Sequence, residues 1–283
     1  MTSSRAAATC ARTAFLLGFL LSPSTATAQR PVREPGIQDN SFLIEESYNQ
    51  EEGVVQNIQT FQRDGDGGWI ATFTQEWPLP AQTHQLSYTL VGARNPPQEG
   101  GSAGLGDLAL NYRYQLVGSG ESVVAVAPRI SLVLPTGSWR AGRGSGGVAL
   151  QALVPLSIAA SRRIVVHGNA GFTWIPAARN PRGDRAGSLG SVVGGSVVWL
   201  ARDAANLLVE AIWARTGVVE APHRVSYDES LLVSPGARFA INTRDGLQIV
   251  PGIAFPIGVG PSRGSWSVFA YLSFEHPFRQ PQP

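Results

Sequence analysis

The chain has 283 residues, 15% of them charged, with a formal net charge of +2 and a mean hydropathy near zero. So small a charge gives no argument for nucleic acid as a partner, and none is expected. The one cysteine, Cys10, precedes an N-terminal apolar run, so the exported chain has no disulfide and relies on closure or on a large core.

Met1–Ala28 reads as a signal peptide. Arg5 and Arg12 give it a basic start, Ala14–Leu21 is an apolar run, and Ala26-Thr-Ala28 is a small-x-small cleavage site. The run is too short to cross a bilayer, and no later stretch offers the roughly 18–20 apolar residues of a transmembrane helix. Residues 29–50 form a lead-in without periodicity, in which Phe42, Leu43, Ile44 and Tyr48 stand among Glu45, Glu46, Glu51 and Glu52. This segment is expected to fold into the periplasmic mouth as a gate or to pair as an extra strand.

Residues 51–278 are predicted to form about twelve strands of period two: 54–63, 69–77, 82–92, 106–117, 122–134, 147–160, 163–175, 188–201, 206–215, 231–243, 247–257 and 265–275. The links 118–121, 161–162, 202–205 and 244–246 are tight turns, whereas 93–105, 135–146, 176–187, 216–230 and 258–264 are long. The link 64–68 is short where a long one is due. Short links on one rim and long ones on the other predict an antiparallel transmembrane β-barrel, with short periplasmic turns, long extracellular loops and residues 279–283 as a C-terminal tail. A large periplasmic β-sandwich is the soluble alternative. Pro128, Pro155, Pro235, Pro251 and Pro256 favour it, because a closed barrel has no edge on which to spare an N–H.

Strand faces favour the barrel. Leu108, Leu110, Tyr112, Tyr114 and Leu116 share one face, opposite Asp107, Asn111, Arg113 and Gln115. Ile130 and Leu132 oppose Arg129 and Ser131, and Phe172 and Trp174 oppose His167, Asn169 and Thr173. A charge facing hydrocarbon at mid-bilayer costs roughly 2–4 kcal/mol, so the polar face must meet water or other polar groups. Trp69, Trp77, Trp174, Trp199, Trp213 and Trp266 fall near predicted strand ends, where an aromatic girdle would sit.

Three segments carry a resemblance: Asp39–Gln56, Gly104–Tyr114 and Ala127–Gly137. Together they resemble the outer-membrane transporters named after the meta-pathway of phenol degradation. The resemblance implies a β-barrel that moves small compounds, hydrophobic or aromatic ones among them. The chain departs from the usual outer-membrane ending, an aromatic last residue, because Phe278 is followed by five further residues.

Catalytic, cofactor and metal signals are absent. His84, His167, His223 and His276 show no metal-ligand spacing, no G-x-S-x-G elbow occurs, and Gly142–Gly147 lacks the Gly-Lys-Ser/Thr end of a phosphate loop. Gly142–Gly147 is expected to be a mobile outer loop. The candidate lumen-lining residues are Asp107, Arg113, Arg129, His167, Glu210, Arg238 and Glu275, with mutual pairing expected for the charges and selectivity a further hypothesis. Arg94, Arg140, Arg143, Arg179, Arg182, Arg185, Arg224 and Arg263 lie in the long links, where guanidinium groups could bind lipopolysaccharide phosphates, but Asp184, Asp228 and Glu229 dilute that field and plain solvated loops are the leading expectation. The expected protein is an outer-membrane pore or transporter for a small solute. Its expected partners are outer-membrane lipid, lipopolysaccharide, that solute and the barrel-assembly machinery. The alternatives are a closed structural or adhesive barrel and, behind it, a membrane-embedded lipid hydrolase.

Overall fold

The computed structural model describes residue 37 and residues 40–243 and 246–277. The signal peptide, the first part of the lead-in and the C-terminal tail lie outside the described residues.

Twelve antiparallel strands close into a single barrel. They are β1 (Val54–Asp64), β2 (Trp69–Pro78), β3 (His84–Arg94), β4 (Ala103–Leu105 and Leu108–Tyr114), β5 (Val124–Val126 and Arg129–Leu134), β6 (Ala149–Ala159), β7 (Ile164–Arg179), β8 (Arg185–Arg202), β9 (Ala205–Ala221), β10 (Arg224–Phe239), β11 (Gln248–Ala254 and Ile257–Gly258) and β12 (Ser267–Pro277). Each pairs with its sequence neighbour, and β12 returns to β1 in a register running from Val54↔Pro277 to Asp64↔Ser267. Closure leaves no row of unpaired backbone groups facing lipid, the condition for a sheet to cross a bilayer.

The burial pattern is inverted relative to a protein in water. Leu110, Ile130, Val154, Phe172, Val193 and Val209 are exposed on the outer wall, while Gln56, Ser131, His167, Glu210, Arg238 and Ser273 are buried within. Apolar side chains gain by this arrangement only when the surrounding medium is itself apolar. Trp69, Trp77, Trp174, Trp199, Trp213 and Trp266, the residues expected to form a girdle, lie on the outward face. Trp77 and Trp199 stand near the rim of short turns, and Trp69 and Trp266 near the opposite rim.

The prolines are accommodated without an edge. Each lacks an N–H, yet the carbonyls of Pro128, Pro155, Pro235 and Pro256 still accept hydrogen bonds. Tyr114 N donates to Pro128 O, Ala127 N to Pro155 O, Phe255 N to Pro235 O and Ser267 N to Pro256 O. The register is unchanged across the interruption at Pro128, since Val126 faces Leu156 and Arg129 faces Leu153. Each such proline therefore costs the wall a single donor.

Two of the long links are much shorter than predicted. The wall continues through 176–179 and resumes at Arg185, and it extends β9 to Ala221 and β10 back to Arg224. Polar residues such as Ser226, Asp228 and Glu229 mask an alternation that the backbone keeps, so β7–β10 reach 16–18 residues and rise above the rest of the rim.

Gly142–Gly147 is held in place rather than free. Leu105 faces Gly92 while Ala109 faces Thr89, so β4 carries one extra residue at its bulge. The bulge turns the Asp107 carboxylate toward the outer loop, where it accepts from Gly137 N (2.9 Å), Ser145 N (2.7 Å) and Ser145 Oγ (2.7 Å).

Candidate functional site: a lumen and its occupant

Ile37 N donates to Asp203 O at the rim of short turns, and from there the lead-in turns into the barrel. Residues 40–50 cross the lumen without regular secondary structure. Their backbone groups cannot pair with one another, and the inward side chains of the wall serve as partners instead. Glu210 Oε1 accepts from three successive amides, Phe42 N, Leu43 N and Ile44 N, at 3.0, 2.7 and 3.0 Å. Asn169 Oδ1 accepts from Glu45 N, Ser157 Oγ from Ser47 N, Gln115 Oε1 from Asn49 N and Gln85 Oε1 from Gln50 N. Arg238 donates to the Asn40 carbonyl and Arg113 to the Tyr48 carbonyl.

Charge fixes the middle of the segment. Arg113 and Arg129 face each other directly across β4 and β5, a like-charge pair that an empty lumen would leave in repulsion. Glu45 lies between them, with one carboxylate oxygen 2.9 Å from Arg113 Nη2 and the other 2.9 Å from Arg129 Nη2. Burial pushes the Glu45 pKa up, but the two guanidinium groups outweigh it and hold the carboxyl below its ordinary value.

Shape fixes the apolar part. Phe42 packs 5.5 Å from Phe269 and 5.2 Å from Tyr271, ring centre to ring centre. It rests on inward positions that carry glycine: a Cβ at Gly252 or Gly236 would approach the Phe42 ring to 2.5 or 2.8 Å, and one at Gly194 would meet Ile44 Cδ1 at 2.5 Å. Any larger side chain at these positions would push the segment off the wall.

The seven candidate lumen residues do not form one cluster. Arg113, Arg129, Glu210 and Arg238 grip the lead-in. Glu275 accepts from Gln56 Nε2 near the inner end, and His167 Nδ1 shares a 2.7 Å hydrogen bond with Ser157 Oγ. That Ser–His pair is fully buried inside the barrel, away from the lipid face where a lipid hydrolase would need it. Asp107 serves the outer loop. Among the described residues no group of three or more His, Cys, Asp or Glu could hold a metal ion. Sequence reasoning missed Glu45 as counter-ion and Gly194, Gly236 and Gly252 as seats, because both roles depend on chain segments far apart in sequence.

Beside the segment, toward β1–β3, a cavity of about 360 Å³ remains. One wall of this chamber is a set of threonines, in which Thr60 pairs with Thr72 (2.6 Å) and Thr74 with Thr89 (2.9 Å). Facing them are Phe42, Ile58, Phe269 and Tyr271, and the charged groups of Glu45, Glu46, Glu76, Arg113 and Arg129 also border the chamber. A second cavity, about 660 Å³, lies beyond it under the outer loops and is lined by Asp64, Ile70, Ala93, Arg94 and Arg140 among others.

No protein-family model and no curated protein sequence matches the chain. Among solved structures it is similar to the COG4313 outer membrane channel from Pseudomonas putida F1, with a TM-score of 0.62, 13% identity, and coverage of 81% of this chain and 98% of that one. It is also similar to the NanC porin, with a TM-score of 0.53, 12% identity, and coverage of 78% and 98%. The chain has the fold of an outer-membrane channel. With a hydrocarbon-facing wall around a polar interior, it is a protein of the bacterial outer membrane.

Two outcomes follow for the occupied lumen. Replacing Glu210 with Ala leaves three amides without that acceptor and should weaken the hold of residues 40–50 on the wall by about 3 kcal/mol, roughly a hundredfold in the population released. Single-channel recording reads this as open probability, and an unchanged value would make the segment a fixed part of the wall. Because the Glu45 pKa is depressed on folding, its contribution is fully present above the ordinary value of 4.5 and is lost as pH falls through the depressed one. Glu45→Gln should therefore raise conductance above the wild type's at pH 7 and at pH 5, and the difference should close in stronger acid, where the wild-type carboxyl is protonated as well.

Proposed function

We propose that the protein is a gated, passive pore of the outer membrane for a small amphipathic solute, with a single aromatic ring as the best fit. The observation that carries this reading is the chamber beside residues 40–50. Its aromatic wall would hold an apolar ring, and the threonine hydroxyls opposite would bond its polar substituents. The resemblance to the meta-pathway transporters of phenol degradation supports the same class of compound. Solute would enter under the outer loops, pause in the chamber, and pass inward when residues 40–50 shift. The barrel supplies no chemistry to the solute. Its work is to exclude bulk water and to offer one compartment of limited size.

A second reading is a closed structural barrel whose outer loops do the work, and the occupied lumen favours it. Planar bilayers separate the two. The wild-type barrel should carry ion current, which benzyl alcohol should interrupt and a sugar of similar size should not. Thr74→Trp, which fills the chamber from its hydroxyl wall, should remove most of the current. A wild-type barrel that never conducts would favour the closed reading. Equal interruption by both solutes would remove the aromatic preference.

A further inference from the structure

We propose that the outer rim of β1–β3 binds the phosphate groups of lipopolysaccharide, through Arg63 and Arg94 on either side of Trp69. The three residues are aligned by the sheet itself, since Arg63 faces Trp69 across β1 and β2, and Trp69 faces Arg94 across β2 and β3. Directly opposed residues have Cβ atoms roughly 5 Å apart, which places the two arginine stems roughly 10 Å apart with the indole between them. All three project outward, on the face that carries Phe61, and away from the inward Thr60 and Gln62.

The depth is right for a headgroup. Arg63 is the next-to-last residue of β1, Trp69 the first of β2 and Arg94 the last of β3, all at the rim of outer loops. Just below them on the same face lie Phe61, Phe73 and Leu90, and Phe61 packs 5.9 Å from Trp69. An acyl chain has an apolar bed there, an indole is at home at the interface, and a guanidinium fork matches a phosphate in two hydrogen bonds.

Three other arginines at the same rim already have carboxylate partners. Arg182 lies 3.3 Å from Asp184, Arg215 3.7 Å from Glu229 and Arg224 3.2 Å from Glu220. Among the described residues, no carboxylate lies within ion-pair distance of Arg63 or Arg94. Arg94 Nε donates to Gly101 O at 3.0 Å, which steadies the stem and leaves the terminal nitrogens unengaged by that bond. Two unneutralised cations at the lipid boundary are stabilised by an anion placed between them. In the outer leaflet of this membrane that anion is the phosphorylated sugar headgroup of lipopolysaccharide.

The proposal is independent of conduction and is tested on the full mature chain in detergent. Native mass spectrometry should record bound lipopolysaccharide on the wild type, and the double variant R63Q/R94Q should weaken that binding at least tenfold. R215Q, whose cation is already paired, should bind as the wild type does. On the unaltered protein, lipopolysaccharide stripped of its phosphates should bind as weakly as intact lipopolysaccharide binds R63Q/R94Q, an arm that needs no variant to fold. Phosphatidylglycerol, offered in the same detergent, should compete poorly. Undiminished binding by R63Q/R94Q, an equal loss in R215Q, equal binding of dephosphorylated lipid or full displacement by phosphatidylglycerol would each overturn the proposal.

Discussion

Two arginines face each other in the interior of this barrel, and their repulsion organises the rest of the lumen. Arg113 and Arg129 are directly opposed across neighbouring strands, both on the inner face, where their like charges are poorly screened. A carboxylate from outside the barrel wall resolves the conflict: Glu45 gives one oxygen to each. Once that residue is committed, the chain on both sides of it must also lie in the lumen. Its amides then require acceptors, which explains why Glu210, Asn169, Gln115 and Gln85 point inward from separate strands. The polar interior is thus built around a particular length of extended chain.

The arrangement combines a strong hold with an available release. Every partner of residues 40–50 is a side chain or a single backbone group of the wall, and the segment forms no strand with it. It can therefore leave without breaking a ladder, and the barrel that remains is still closed by β1 and β12. Phe42 and Ile44 sit against glycine positions, so the apolar part of the contact is a matter of fit that small shifts would undo. The chamber on the far side lies against β1–β3, where the segment makes few hydrogen bonds, and this is the side along which a solute has room.

Much of the architecture was legible in the residues. Alternation in Leu108–Leu116 and Ile130–Leu134 assigned inner and outer faces correctly, because a hydrocarbon medium tolerates no compromise at exposed positions. Twelve strands followed from the spacing of turns. The long links at 176–187 and 216–230 were misjudged, since strands standing above the membrane need no apolar face and so lose the pattern that marks the others. Arg113 and Arg129 could be placed inside, but their direct opposition is a matter of register. Register depends on the bulge before Leu108 and on the length of the turn that follows β4. Asp107 shares a face with Arg113 in the alternation, yet that same bulge turns it to the outer loop. Glu45 stands in a segment without periodicity, 68 residues from Arg113, and nothing local marks it as a counter-ion.

In the proposed pore, residues 40–50 occupy the lumen and leave it when the pore conducts. Ser41 Oγ lies 2.6 Å from Ser196 Oγ on β8, and Cys10 is the sequence's one native thiol. In the double variant S41C/S196C, oxidation should cross-link the segment to the wall and hold single channels shut, and dithiothreitol should restore their current. A cross-linked barrel that conducts as freely as its reduced form, or cysteines that never join, would contradict this gating.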